Sequence, residues 1–140
     1  MNQPGPLWLA RINLSDVFLS EVNLAGANLL EANLARANLS NANLEGARLQ
    51  GAVLDRSSLR GAILSDANLS RASFVVADMN GANLSGADLT GANLSWADLS
   101  NANLSDAILE NVVLSDARYT AGTQWPDGFD VTATGAKLVE

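Results

Sequence analysis

The carboxylates are the side chains of this 140-residue chain that could do chemistry, because the sequence contains no histidine and no cysteine. The commonest general base and transition-metal ligand are therefore absent, and so are thiol nucleophiles, disulfides and zinc–thiolate sites. Paired carboxylates act as general acid and base in many enzymes, and Asp78 and Asp98 form one such rough pair. Any repeat that places acids in register creates pairs of this kind, so the pair does not by itself predict catalysis.

Sequence motifs for other reactions are missing as well. The chain has no Walker-type glycine loop, no Gly-Xaa-Ser-Xaa-Gly elbow and no calcium-binding Gly-Gly-Xaa-Gly-Xaa-Asp repeat. We therefore predict that the protein is not an enzyme. We expect no catalytic residue, no cofactor or cofactor-binding residue, no metal site and no small-molecule ligand.

The charge and hydropathy of the chain restrict its partners. The formal net charge of −7 disfavours nucleic acid and anionic membranes, since both are bound by clustered Lys and Arg. The N-terminus lacks the basic and apolar regions of a secretory signal, and no run approaches the ~20 apolar residues of a membrane-spanning helix. We expect a cytoplasmic protein with neither a nucleic-acid nor a membrane partner.

A five-residue period organises the sequence. Steps of five from Leu14 to Tyr119 give 22 large apolar residues, of which 19 are Leu and the others are Phe74, Met79 and Tyr119. Two residues earlier, 17 of the 22 positions hold Ala, and 13 of the residues in between are Asn or Asp. The exceptions to Ala are Ile12, Val17, Val22, Ser57 and Val112. The consensus is Ala-(Asn/Asp)-Leu-X-X, which predicts core filling for Phe74 and Met79.

A period of five fits neither a helix nor a straight strand. Every fifth residue would spread around the circumference of a helix, and successive Leu would alternate faces along a strand. A chain that turns once per unit reconciles the two, with Ala and Leu inside and the X-X pair at a corner suited to Ser, Gly, Asn and Asp. Seven units have Gly at the second corner position: Gly26, Gly46, Gly51, Gly61, Gly81, Gly86 and Gly91. The number of units per coil is not fixed by the period alone.

Units such as Ala82-Asn83-Leu84-Ser85-Gly86 and Ala87-Asp88-Leu89-Thr90-Gly91 resemble those of the pentapeptide-repeat family, and the resemblance covers about three-quarters of the chain. It implies an all-β fold, the right-handed quadrilateral β-helix or solenoid, with four units per coil. Residues 20 apart would then stack in about five to six coils. Short bacterial members, cyanobacterial ones in particular, are the most similar in organisation.

The period also divides the chain. We predict an N-terminal cap in residues 1–11, where Leu7, Trp8 and Leu9 follow Pro4 and Pro6. The β-helix is expected in residues 12–121. Residues 122–140 should form a C-terminal cap, because Gln124–Asp130 places bulky apolar residues between turn formers. Caps are expected because open strand edges invite aggregation.

Four-unit stacking sorts the outward residues into columns, two of which stand out. The acidic column consists of Glu45, Asp66 and Asp106 and contains no basic residue. The lateral patch consists of Val53, Val75, Val76, Trp96 and Val113, with Val76 and Trp96 directly stacked. Apolar residues clustered in consecutive coils are typical of an interface, and an exposed Trp is a suitable anchor. The alternatives are a plain solvated surface, incidental variation, or a C-terminal tail that covers the lateral patch.

We therefore predict a non-catalytic structural or protein–protein interaction module, a scaffold whose partner is an unknown protein or a second copy in a homodimer. The alternative implied by the resemblance is a DNA-mimic inhibitor or protector of type II topoisomerase (gyrase). B-DNA carries one charge per ~1.7 Å, so a rod ~27 Å long should carry about 16 negative charges. Residues 12–121 have 12 acids and 6 Arg, a net charge of −6, which disfavours the mimic.

Overall fold

A computed structural model describes residues 5–140, and its backbone winds as a β-helix of short parallel bridges. The bridges join residues 20 apart, from Trp8 with Asn28 to Asp98 with Arg118. The residues between bridges form turns. The longer elements are strand β1 (Arg118–Tyr119), which pairs in parallel with strand β2 (Lys137–Leu138), and a 3₁₀ turn (Val131–Ala133). The 20-residue spacing of the bridges corresponds to four of the five-residue units.

The interior is lined by the residues that the period predicted. Every central residue from Leu24 to Leu104 is buried, including Phe74 and Met79, and so is almost every Ala two positions earlier. Full burial of each Leu contributes about 1.5–3 kcal/mol. Ser57 is the polar exception at an Ala position, and its hydroxyl donates to the carbonyl oxygen of Leu54 at 2.6 Å. The prediction that Ala and Leu face inward is confirmed.

Each corner is a β-turn closed by a backbone hydrogen bond, such as the one from the Ala27 N–H to the Leu24 carbonyl oxygen at 3.0 Å. The second corner residue has φ between +55° and +70° in all 22 units from Arg11 to Asp116. Positive φ at this position defines the type II turn and favours Gly or Asn. Only seven of these residues are Gly, so Arg, Glu, Val and Trp adopt a conformation that the sequence pattern assigned to Gly, Asn and Asp.

In a consensus unit every backbone N–H has an acceptor, as the unit Ala82–Gly86 shows. The N–H groups of Asn83, Leu84 and Gly86 donate to carbonyl oxygens of the neighbouring coils at 2.7–2.9 Å. The Ala82 N–H closes the preceding turn at 3.0 Å. The remaining N–H, that of Ser85, donates to the Asn83 side chain at 3.0 Å. The Asn side chain therefore supplies the acceptor that the backbone does not.

All 13 units with Asn or Asp before the central residue make this side-chain bond to the N–H two residues later. A backbone N–H that is removed from water without an acceptor destabilises the fold. The Asx turn supplies this acceptor, which explains why the residue between Ala and Leu is polar. We call the position between Ala and Leu the Asx position below.

The C-terminal end of the β-helix is covered by aromatic side chains. One extra residue enters the last coil, so Asn103 bridges to Gln124, 21 residues later. Trp125 then packs against the core with its ring stacked on Phe129 at 5.4 Å and edge-on to Tyr119 at 5.6 Å. Coil pairing thus extends beyond residue 121, the predicted end of the β-helix.

The N-terminal end is arranged differently. Trp8 bridges to Asn28, so residues 7–9 already belong to the first coil, and the exposed side chains of Leu7 and Trp8 do not cover it. The reason is positional, since Trp8 occupies an Asx position, whose side chain points outward. The first four residues of the predicted N-terminal cap, including Pro4, lie outside the described residues.

The Asx bond can be tested at Asn33, whose side chain accepts from the Ala35 N–H at 3.0 Å. We expect Asn33→Ala to lower the free energy of unfolding by about 1 kcal/mol, because the corner N–H loses its acceptor. Asn33→Asp should stay close to the wild type, since Asp makes the same bond in three other units. Urea denaturation measures both, and equal losses in the two variants would contradict this role.

Candidate interaction surface

The lateral patch is exposed along one side of the rod. Trp96 is 60% exposed, Val76 42%, Val113 41% and Val53 36%, while Val75 is half-buried. Val53 and Val113 occupy Asx positions, Val75 the first corner position, and Val76 and Trp96 the second. The structure thus places the five side chains in successive coils with their apolar surface outward.

Val76 and Trp96 form the centre of the patch. The Val76 N–H donates to the carbonyl oxygen of Ser95, the residue before Trp96, at 3.0 Å, so the two corners stack directly. Their φ angles are +62° and +63°. Such a conformation is an outlier for a β-branched or bulky residue and costs on the order of 1–3 kcal/mol. Nothing in the sequence pattern identified this strain, because it depends on the corner geometry.

The two valines of the patch at Asx positions cannot form the Asx bond. Val53 and Val113 have no oxygen to offer the corner N–H that an Asn would bind. In the Phe74 unit, where Ser73 holds the Asx position, Asp55 of the preceding coil takes over this function. Its carboxylate accepts from the Val75 N–H at 3.0 Å and also from the Ser73 hydroxyl. The patch is therefore built from residues that the repeat itself does not favour.

Single departures of this kind occur on other sides of the rod. Ile63 and Ile108 also replace Asn at Asx positions and are exposed. The corners that follow them hold no large apolar residue, either in their own units or in the units 20 residues away. Clustering over successive coils therefore distinguishes the lateral patch.

Charged residues bound the patch along the same corner. Arg36 donates to both carboxylate oxygens of Asp16 at 2.7 and 2.9 Å, and this hydrogen bonding holds the pKa of the Asp16 carboxyl below its usual value. At the other end, Lys137 forms an ion pair with Asp116. Exposed pairs add little stability, but an apolar centre with a charged rim is the usual anatomy of an interface.

The C-terminal tail runs beside the patch without covering its centre. The Gly135 carbonyl oxygen accepts from the Asp116 N–H at 3.1 Å, one coil beyond Trp96. Trp96 nevertheless keeps more than half of its surface exposed. The sequence left open whether the tail covers the patch. In the structure, the tail does not cover it.

The acidic column is a weaker feature. Glu45, Asp66 and Asp106 are exposed, and no basic residue among residues 5–140 forms an ion pair with any of them. Gly86 stands between Asp66 and Asp106 in the stack, and a Cβ there would collide with the Asp66 carboxylate. The column therefore consists of separated carboxylates and not of a continuous acidic ridge.

The carboxylate pair singled out from the sequence serves the backbone. Asp78 and Asp98 stack through a bridge, and each accepts from the N–H two residues later, at 3.1 and 2.9 Å. Asp78 also pairs with Arg60 at 3.2 Å. In the described part of the chain, no group of three acidic, His or Cys side chains is arranged to hold a metal ion.

An open groove lies at the C-terminal end of the rod. It has a volume of about 590 Å³ and lies beside β2, between Asp98, Asn101, Arg118 and Leu138. None of the helical segments described is long and apolar enough to cross a membrane.

Comparison with known proteins gives one consistent family. Pentapeptide repeats match residues 9–41, 37–74 and 77–117, in eight copies. HetL from the cyanobacterium Nostoc sp. strain PCC 7120, a pentapeptide repeat protein involved in heterocyst differentiation regulation, is 36% identical over 89% of this chain, with a TM-score of 0.63. The chain spans 62% of the length of HetL. No curated protein sequence matches it.

Two further solved structures are similar. Rfr23 from the cyanobacterium Cyanothece 51142 is 29% identical with a TM-score of 0.57, over 81% of this chain and 87% of its own. A pentapeptide repeat protein of the Arabidopsis thaliana thylakoid lumen is 28% identical with a TM-score of 0.57, over 77% of this chain and 68% of its own. All three are pentapeptide repeat proteins, and they share the wound backbone described above.

The strain at the centre of the patch makes a prediction about stability. Val76→Gly should raise the free energy of unfolding by about 1 kcal/mol, because Gly adopts positive φ without the steric cost that Val carries. Gly46→Val is the reverse substitution at an equivalent corner. There φ is +65° and a Cβ would meet nothing within 4 Å, so the variant tests the backbone strain without a steric clash. It should lower stability by a similar amount. If both changes destabilise in urea titrations, the strain assigned to Val76 is wrong.

Proposed function

The chain belongs to the pentapeptide-repeat family and folds as its right-handed β-helix, and we propose that it is a non-catalytic interaction module whose lateral patch binds another protein. One observation carries this proposal. Val76 and Trp96 are exposed, stacked in consecutive coils and held at corners where their side chains are unfavourable. The fold gains nothing from them that Gly would not provide better.

Strained backbone residues cluster at binding and active sites, and at these two corners the strain coincides with exposed apolar side chains. An exposed Trp beside apolar residues provides a rigid anchor with a large contact area. The five patch residues extend over four coils, and the ion pairs of Asp16 and Asp116 lie at its two ends. A partner with an apolar centre and polar edges would fit this surface.

The architecture that we propose for the rod is four-sided, with five to six coils. The 20-residue spacing of the bridges supports four sides. The packing of Trp125 and Phe129 against the core supports a C-terminal cap within residues 122–140. The boundaries at residues 12 and 121 remain predictions for the regular five-residue units, because the coil bridges of Trp8 and Gln124 lie outside them.

Similarity to HetL, a protein involved in heterocyst differentiation regulation, supports a regulatory role. A role without catalysis is supported by the side chains themselves, since the Asp78 and Asp98 carboxylates are committed to turns and an ion pair. We propose that binding, and not turnover of a substrate, is the activity of this rod.

Partner binding can be tested with variants that keep the fold. Trp96→Gly should remove the anchor and relieve the strained corner, so that binding is lost while stability is kept or increased. Ile63→Asn is the matched control, because it removes an exposed apolar side chain from another side and restores an Asx turn there. Immobilised wild-type protein and both variants would be compared for proteins captured from cells of the source organism.

A protein captured by the wild type and by Ile63→Asn, but not by Trp96→Gly, would support the lateral patch. Its dissociation constant should rise at least ~10-fold on loss of the Trp, as expected for a central anchor. A partner that binds Trp96→Gly as well as it binds the wild type would exclude this surface.

The DNA-mimic alternative is disfavoured by the arrangement of charge. Arg36 and Arg60 are already paired with acids of the repeats, and the acidic column has three separated carboxylates. We expect no inhibition of purified gyrase in a supercoiling assay, even at protein concentrations that would saturate gyrase if the dissociation constant were micromolar. Inhibition that weakens when Glu45, Asp66 and Asp106 are replaced by Asn or Gln would contradict this expectation.

A further inference from the structure

Within residues 5–140, the first coil of the β-helix has an edge whose backbone groups have no hydrogen-bond partner. In the second coil, Asn33 donates its N–H to the Ile12 carbonyl oxygen at 2.9 Å and accepts from the Leu14 N–H at 2.7 Å. Both groups of an Asx-position residue thus point towards the preceding coil. Trp8, Asn13 and Phe18 hold the equivalent positions in the first coil, and no residue of the described chain bonds to their backbone N–H or carbonyl oxygen.

The same end is apolar. Phe18 is 84% exposed and Trp8 75% exposed, both at positions where 13 other units have Asn or Asp. The inner residues Ile12, Val17 and Val22 are larger than the usual Ala and remain only half-buried. The C-terminal end, by contrast, is covered by Trp125 and Phe129. The two ends of the rod are therefore not equivalent.

We propose that the first coil binds a second copy of this chain, head to head, about a two-fold axis through Asn13. A perpendicular two-fold axis makes the facing strands antiparallel. In antiparallel pairing, two residues that each direct N–H and carbonyl oxygen at the partner exchange both hydrogen bonds. Asn13 would pair with Asn13 of the second copy. Since Trp8 and Phe18 lie five residues on either side of Asn13, each Trp8 would face a Phe18.

Contact between Trp8 and Phe18 stabilises the dimer in this register. Side chains directly opposite each other on an antiparallel pair lie close enough to contact, and aromatic pairs are favourable there. Trp8 and Phe18, which are unfavourable for an isolated rod, would cover each other twice in the dimer. The inner residues Ile12, Val17 and Val22 would be closed off by the facing coil.

The corner charges favour the same register, in addition to the ion pairs that Arg11 and Asp16 form with Glu31 and Arg36 of the second coil. The four corners of the first coil carry Arg11, Asp16, Glu21 and Gly26. An axis through Asn13 brings each Arg11 corner against an Asp16 corner and each Glu21 corner against Gly26. Each of the other three two-fold arrangements of four corners brings like charges together, either Asp16 with Glu21, Asp16 with itself, or Arg11 and Glu21 each with itself. Like charges directly opposite are destabilising.

This surface is distinct from the lateral patch, which stays exposed in the head-to-head dimer. Such a dimer would be a continuous rod with two patches, one on each copy, related by the same axis. A partner that is itself dimeric would then bind with increased avidity.

The mass of the full chain in solution gives the first test. Sedimentation equilibrium should show twice the chain mass, and Phe18→Arg or Trp8→Glu should each raise the dimer dissociation constant at least ~10-fold. The double variant Trp8→Glu/Phe18→Arg should recover most of this loss, because each new acid would face a new base. Both side chains are exposed, so circular dichroism should show unchanged folding.

A cross-link tests the axis independently. The chain has no cysteine, and the Cα atoms of a hydrogen-bonded antiparallel pair lie ~5.5 Å apart, within disulfide range. Asn13→Cys should therefore give a covalent dimer under mild oxidation, whereas Asn33→Cys, one coil further in, should stay monomeric on a non-reducing gel.

Three results would overturn the proposal. The first is a monomeric mass for the wild type at high micromolar concentration. The second is a dimer in which Asn13→Cys forms no cross-link. The third is a dimer that Trp96→Asp dissociates while Phe18→Arg leaves it intact, which would assign self-association to the lateral patch instead.

Discussion

The stacking of one coil on the next, through hydrogen bonds between residues 20 apart, is the interaction on which the rest of the structure depends. A consensus unit donates three backbone N–H groups to neighbouring coils and one to the preceding turn, and the fifth donates to its Asn or Asp side chain. Because no coil buries its own leucines, the coils are stable only in contact with one another. Because a turn closes every five residues, the second residue of each corner has a positive φ.

The inside of this rod could be predicted from the sequence because burial acts on the residue types themselves. Leu, Ala, Phe74 and Met79 had to avoid water, and a period of five allows this only if the chain turns once per unit. The corner conformation could not be predicted in the same way. Gly at seven corners suggested positive φ, but Arg, Glu, Val76 and Trp96 at equivalent corners gave no such signal. The four units per coil came from family resemblance, since the period is compatible with other numbers.

The candidate surfaces could likewise be predicted only in part. That the lateral patch faces outward follows from the period, so its exposure could be predicted from Val53 to Val113. The strain at its centre and the loss of Asx bonds at Val53 and Val113 could not, because both depend on the geometry of the corner. Phe18 was missed although a signal was available, since it is an aromatic residue at a position that holds Asn or Asp in 13 of 22 units.

In a repeat protein, the consensus residue at each position is the one that the coil itself favours. A residue that departs from the consensus without improving packing is therefore better explained by a contact outside the coil than by the fold. Ser57 departs from Ala but its hydroxyl is satisfied inside the coil, so it needs no partner. Trp96 and Phe18 find no such contact within the described chain. One lies on the side of the rod and the other at its open end, so the two surfaces allow lateral binding and end-to-end assembly to occur together.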